Sequence, residues 1–181
     1  LVLSTLHTND TVATITRLVD IGVEPYLIAS AVTGIIAQRL VRKICPKCGV
    51  SVNVAEEIKK PGFPPIKKAL RGKGCSHCKH TGYIGRVGVY ELLLLNQKIR
   101  RLIAKEAEES EIREASLQAG MITLFADAWN KVGQGITTVD EVSKKIPLFY
   151  RPADADQARE AGRRAVLIGL SMKDGRVTED L

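Results

Sequence analysis

Two stretches of this 181-residue chain carry side chains whose types and spacing could do chemistry. The first is a pair of Cys-x-x-Cys knuckles, CPKC at Cys45 and Cys48 and CSHC at Cys75 and Cys78, which together use every cysteine of the chain. Each knuckle presents two thiolates from one side of a tight turn, and two knuckles can close a tetrahedron around zinc at about 2.3 Å per sulfur. The spacer between the pairs is longer than the commonest zinc-ribbon spacing, which loosens the match but not the geometry. Two disulfides are an alternative, disfavoured in a reducing cytoplasm. A redox pair is another, and it usually occurs singly on a thioredoxin-like βαβ unit. Four thiolates leave no open coordination position, so the expected Zn²⁺ is structural and His77 and His80 are bystanders.

The second stretch is the opening LVLSTLHTND. Its first three residues have the look of a buried strand. Ser4, Thr5, His7, Thr8, Asn9 and Asp10 then crowd hydroxyls, an imidazole, an amide and a carboxylate into one short run. The place where an α/β strand hands over to a helix is where such folds put their ligands. A helix cap uses the same residue types. Chemistry alone leaves helix cap and phosphate-facing site equally open.

The surrounding elements follow from periodicity. NDTVATITRLVDIG predicts a short helix, with Thr8, Asn9 or Asp10 as cap, Val12, Ile15, Leu18 and Val19 at helical spacing, and Gly22 after its end. VEPYLIASAVTGIIAQ predicts a second, with Pro25 in its first turn and a stripe of Ile28, Val32, Ile35 and Ile36. RLVRKI alternates Leu40 and Ile44 against Arg39 and Lys43, which suits a half-exposed strand. PGFPP, Pro61 to Pro65, is an irregular stretch between the cysteine pairs. RVGVYELLLL reads as a buried strand. Three helices follow, SEIREASLQAG from Ser110 to Gly120, TLFADAWNKVGQG from Thr123 to Gly133, and TTVDEVSKKI from Thr138. The last stretch, from Pro147, is expected to be one helix over DADQAREAGRRAVLIGLSM, with tails.

Composition bounds the function. The 45% hydrophobic and 26% charged fractions are those of an ordinary soluble globular protein. Aromatics at 4% argue against a stacking platform for single-stranded nucleic acid. No apolar run reaches the roughly 18 residues of a membrane span, and no basic region precedes the N-terminal apolar residues as in a signal peptide. A cytoplasmic protein is the default. The net charge of +7 is uneven: eleven Lys and Arg lie between Arg39 and His80, against only Glu56 and Glu57. Part of that charge balances four thiolates. The rest could be a solvated face or could meet nucleic acid, anionic lipid or an acidic partner.

The order of these motifs carries a resemblance. LVLSTLHTND, RLVDIGVEPYLIASAVTGIIAQRLVRKICPKC, the second cysteine pair and GYIGRVGVYELL together resemble the type II secretion and type IV pilus assembly ATPases, over residues 1 to about 146. The resemblance implies an α/β fold, the C-terminal part of a RecA-like P-loop ATPase core over residues 1–44, whose LHTND is the family's histidine box. It further implies a tetracysteine zinc-binding insert over 45–82 and a return strand with a small α-helical subdomain over 83–146. Residues 147–181 extend beyond it and remain unassigned. By the same resemblance Thr5 and His7 would sense or polarise the γ-phosphate, and Arg39 of the QRL element would lie near the nucleotide. No G-x-x-x-x-G-K-[ST] occurs in the chain, and the Walker B carboxylates are absent too. The expectation is therefore a C-terminal fragment, inactive alone, of a motor that needs ATP and Mg²⁺. The implied parent is a cytoplasmic homo-hexamer, peripheral to the inner membrane, docked on a membrane platform and adaptor proteins, with an anionic membrane surface as a further candidate partner. No specific nucleic acid is expected. The rival reading is a non-enzymatic zinc module that binds nucleic acid, favoured by the cysteines and local charge and opposed by the few aromatics and the acidic helical half.

Overall fold

A computed structural model describes residues 2–53, 66, 69–146, 170–173 and 176–179. In chain order the elements are α1 (Thr11–Asp20), α2 (Pro25–Ala31), β1 (Gly34–Ile44), β2 (Gly49–Val52), β3 (Ala69–Gly72), a 3₁₀ turn at Ser76–Cys78, and β4 (Tyr83–Leu94). There follow α3 (Gln97–Ala104), α4 (Glu109–Gln118), α5 (Leu124–Gly133), α6 (Val139–Lys145), β5 (Leu170–Lys173) and β6 (Arg176–Glu179).

The frame is a long antiparallel ribbon of β1 and β4, in register from Gly34 against Leu94 to Arg42 against Arg86, with a bulge between Arg42 and Ile44. Helices pack on one face of it as two hydrophobic clusters. The first gathers Val12, Ile15, Ile28, Ile35, Leu93, Ile99, Ile103 and Ile112, and so joins α1 and α2 to α3 and α4. The second gathers Val41, Val89, Phe125, Trp129, Val132 and Val142, joining α5 and α6 to the middle of the ribbon. Phe125 and Trp129, one helical turn apart, stack with ring centroids 5.6 Å apart. The other ribbon face leaves Ile36, Leu40, Tyr90, Leu92 and Leu94 exposed. At the open end of the ribbon, β2 and β3 form a second antiparallel pair.

Several expectations are corrected. Val2 and Leu3 are not a buried strand; they are 91% and 87% exposed, with no strand beside them among the described residues. α2 stops at Ala31 instead of running to Gln38, because Val32 turns extended and the β-branched residues at 35 and 36 join the ribbon. The inward phase of β1 is also opposite to that expected. Val41 is buried and Leu40 half exposed, and the bulge returns Ile44 to the inside. β4 is buried on one face only. Asp10 is the cap that α1 uses, its carboxylate accepting from the N–H of Ala13 at 2.8 Å. α4 begins after Glu108, whose side chain makes no capping bond, so Ser110 lies inside the helix, while Thr123 and Thr138 cap α5 and α6 as expected. PGFPP and most of the expected tail helix lie outside the described residues. The helix's last residues, Leu170–Met172, are instead in β5, paired antiparallel with β6.

Candidate functional site

The four cysteines converge. Their sulfurs all lie within 4.8 Å of one another, with Cys45 to Cys75 at 3.9 Å and Cys78 at 3.8 Å from both Cys48 and Cys75. Four sulfurs at about 2.3 Å from a central tetrahedral ion stand about 3.8 Å apart, so the donor set fits such an ion. Local backbone chemistry builds each corner. After Cys78 the chain turns through Lys79 and His80, both left-handed at φ 52 and 61. That turn brings the Gly82 N–H to the Cys78 sulfur, and the knuckle itself brings that of Cys75, each at 3.2 Å. The hairpin of the insert and the start of β4 approach at two glycines. A Cβ on Gly72 would stand 2.1 Å from the Gly82 carbonyl, and one on Gly82 2.6 Å from that of Gly72. Cys45 is tied to the same point, its N–H donating to the Gly82 carbonyl at 3.0 Å.

The thiols are unequal. At Cys78 burial works to raise the pKa, but the two N–H groups and the neighbouring thiols outweigh it and draw the group down to about 6. Burial, reinforced by the thiols of Cys45, Cys78 and Cys75, pushes Cys48 up to about 12. Four sulfurs so close cannot all ionise without a cation between them, and a bound metal would displace the remaining protons. His77 and His80 are exposed and stand outside this cluster.

The other sequence-selected residues lie together at the start of α1. Thr5 and His7 are exposed, and neither side chain has a hydrogen-bond partner among the described residues. The residues just after them are held firmly. Thr8 shares a 2.7 Å hydrogen bond with Thr14. Asp10, besides capping α1, is ion-paired with Arg113 at 3.0 Å. Arg39 reaches from β1 to the same segment, donating to the Thr8 carbonyl at 3.2 Å and to Asn9 Oδ1 at 3.3 Å. The polar run is thus both a helix cap, through Asp10, and an exposed pair, Thr5 and His7, that takes no part in capping.

Two buried carboxylates escaped the sequence reading. Glu91, 1% exposed, accepts from the N–H of Thr11 at 2.9 Å and its hydroxyl at 2.5 Å through one oxygen, and from the N–H of Leu124 at 3.1 Å through the other. It therefore serves the first amides of both α1 and α5. Its signal was an acidic residue at the inward phase of β4, between Val89 and Leu93. Glu141, also 1% exposed, receives Nε and Nη2 of Arg42 at 2.9 and 2.6 Å and the Arg42 N–H at 3.1 Å. Burial acts to raise its pKa, and the hydrogen bonds and charge of Arg42 reverse this and hold it below the ordinary carboxylate value. The Arg42 guanidinium lies over the Tyr83 ring, 4.1 Å from its centroid.

The chain matches the family model described as Type II/IV secretion system protein over residues 1–144, and it belongs to that family. It is 42% identical over 142 residues to the type II secretion system protein HxcR of Pseudomonas aeruginosa, covering 78% of this chain and 27% of that protein. It is 43% identical over 147 residues to the type II secretion system ATPase E of Vibrio cholerae, covering 80% and 29%. To the type IV pilus assembly ATPase PilB of Thermus thermophilus it is 42% identical over 147 residues, covering 78% and 16%. The chain therefore spans less than a third of the length of these curated relatives. Within that family it is a mixed helix and strand domain with a four-cysteine cluster able to hold a metal. No helix among the described residues is long and apolar enough to cross a membrane.

Proposed function

We propose that this chain is the C-terminal part of a motor ATPase that powers type II secretion pseudopilus or type IV pilus assembly. In this reading residues 1–44 complete a RecA-like core, 45–82 form an insert in which Cys45, Cys48, Cys75 and Cys78 hold a structural Zn²⁺, and 83–146 supply the return strand and helical subdomain. Thr5 and His7 face the γ-phosphate of ATP bound with Mg²⁺ by motifs that lie elsewhere in the longer protein. That protein works as a cytoplasmic hexamer against an inner-membrane platform and its adaptors.

The observation that carries the nucleotide reading is the division of labour within LHTND. Capping and anchoring fall to Thr8, Asn9 and Asp10, which leaves the side chains of Thr5 and His7 exposed on a segment tethered at one end. Polar groups so held act by positioning and by stabilising charge as it develops on the phosphoryl group. In the longer protein, His7→Ala should leave nucleotide binding nearly intact and slow hydrolysis by roughly 10- to 1000-fold. Thr5→Ala should do the same more mildly. ATPase rate and melting temperature on one sample decide the matter, and lost stability with unchanged turnover per folded molecule would refute it.

A further inference from the structure

Arg39 has an unusual pair of acceptors. Both belong to the short link between His7 and α1, and one nitrogen, Nη2, reaches both the Thr8 carbonyl and Asn9 Oδ1. The residue lies mid-ribbon, opposite Val89 and in phase with Ala37 and Val41, which pack into the second hydrophobic cluster. Its stem is therefore anchored on a rigid element while its head holds a segment outside any helix or strand. Other contacts fix the residues just beyond. Glu91 of β4 binds Thr11, and Arg113 of α4 binds Asp10. At Thr8, the residue next to His7, Arg39 binds the backbone carbonyl while Thr14 binds the side-chain hydroxyl.

We propose that Arg39 is a positioning residue for His7 and Thr5, acting through the Thr8 carbonyl and the Asn9 side chain rather than as a ligand of the nucleotide. The inference rests on the reading of His7 given above. A guanidinium bound to a carbonyl and an adjacent side-chain amide fixes both the place and the tilt of the peptide that leads into His7. Rate is sensitive to that placement, since a shift of about 1 Å in a catalytic group can cost about 100-fold. Arg39 thereby ties the Thr8–Asn9 link to the ribbon, in addition to the contacts that tie it to α1.

The test uses the longer protein carrying this segment. Arg39→Ala should lower kcat about tenfold or more while the KM for Mg·ATP stays within about twofold. The double variant His7→Ala with Arg39→Ala should be no slower than His7→Ala alone, because residues acting as one unit are not additive. Arg39→Lys should recover part of kcat, since one ammonium donor can still reach the Thr8 carbonyl. A KM raised about tenfold at unchanged kcat would make the guanidinium a ligand and overturn the proposal. Losses that multiply in the double variant would overturn it as well, by making Arg39 independent of His7. Normal turnover in His7→Ala alone would instead remove the underlying reading, and the proposal with it. In the chain by itself, Arg39→Ala should speed hydrogen exchange at residues 9–13 and leave α5 unchanged; unaltered exchange there refutes the tether.

Discussion

Replacing Glu91 by Ala should be among the most damaging single changes in this chain. The carboxylate is 1% exposed and accepts the first amide of α1 and the first amide of α5, together with the Thr11 hydroxyl. Truncation leaves two buried backbone N–H groups without this acceptor, each costing about 1–3 kcal/mol. The hydroxyl has a second contact in Met121 Sδ at 3.6 Å and loses less. Against this, the variant no longer has to bury a carboxylate, which offsets part of the loss. The net expectation is destabilisation by about 3 kcal/mol, near the upper end of ordinary point mutations. Urea unfolding followed by the fluorescence of Trp129, the single tryptophan, measures it directly, because that ring lies in the helix Glu91 caps. Glu91→Gln keeps one carbonyl oxygen but turns an N–H₂ toward one of the helix amides, so it should lose about half as much. A Glu91→Ala variant within about 0.5 kcal/mol of the parent would refute the double-cap argument, since that is the range of an ordinary surface substitution.

The remaining expectations concern the insert and its root. Purified protein should carry one Zn²⁺ per chain by elemental analysis; Cys75→Ser should abolish it and unfold the insert while the helical circular dichroism of α3 to α6 persists. Gly72→Ala should weaken metal retention against a chelator without touching a ligand, because its Cβ would stand 2.1 Å from the Gly82 carbonyl. Glu141 has a depressed folded-state pKa, so its contribution is fully present above the unfolded value near 4.5 and is lost as the pH falls through the folded value. Acid titration of stability should show this loss in the parent, and Glu141→Gln should flatten that part of the curve.

The legible parts of the sequence were those with a short-range physical signature. Paired cysteines fix their own neighbours at knuckle spacing, and Asp10, Thr123 and Thr138 cap helices whose apolar stripes begin just after them. What failed depended on the long-range partner. Ile28, Val32, Ile35 and Ile36 satisfy a helical stripe, yet the last two answer to Leu93 and Leu92 across the ribbon. The phase of β1 was hidden by the bulge after Arg42, which makes Val41 and Ile44 face the same side and so defeats simple alternation. Glu141 sits where the sequence T-x-x-E suggests a local capping box. Thr138 supplies its half, but the carboxylate goes to Arg42, far away in the chain. The atoms Arg39 touches, the Thr8 carbonyl and the Asn9 side-chain amide, have no sequence signature.

The placement of Glu91 between the two hydrophobic clusters has a consequence for how the chain acquires its shape. The first cluster draws its helices from before β1 and after β4, whereas the helices of the second all come after β4. Neither can condense around an absent ribbon, and the ribbon joins strands on opposite sides of the insert. Closing that loop precedes the reward from either cluster, which makes strand pairing the expected slow step of folding. Once the ribbon exists, its buried inward carboxylate stands between the clusters and lets them solidify as separate cooperative units. The carboxylate then acts as the last latch, because both helix starts must arrive before its two oxygens are satisfied.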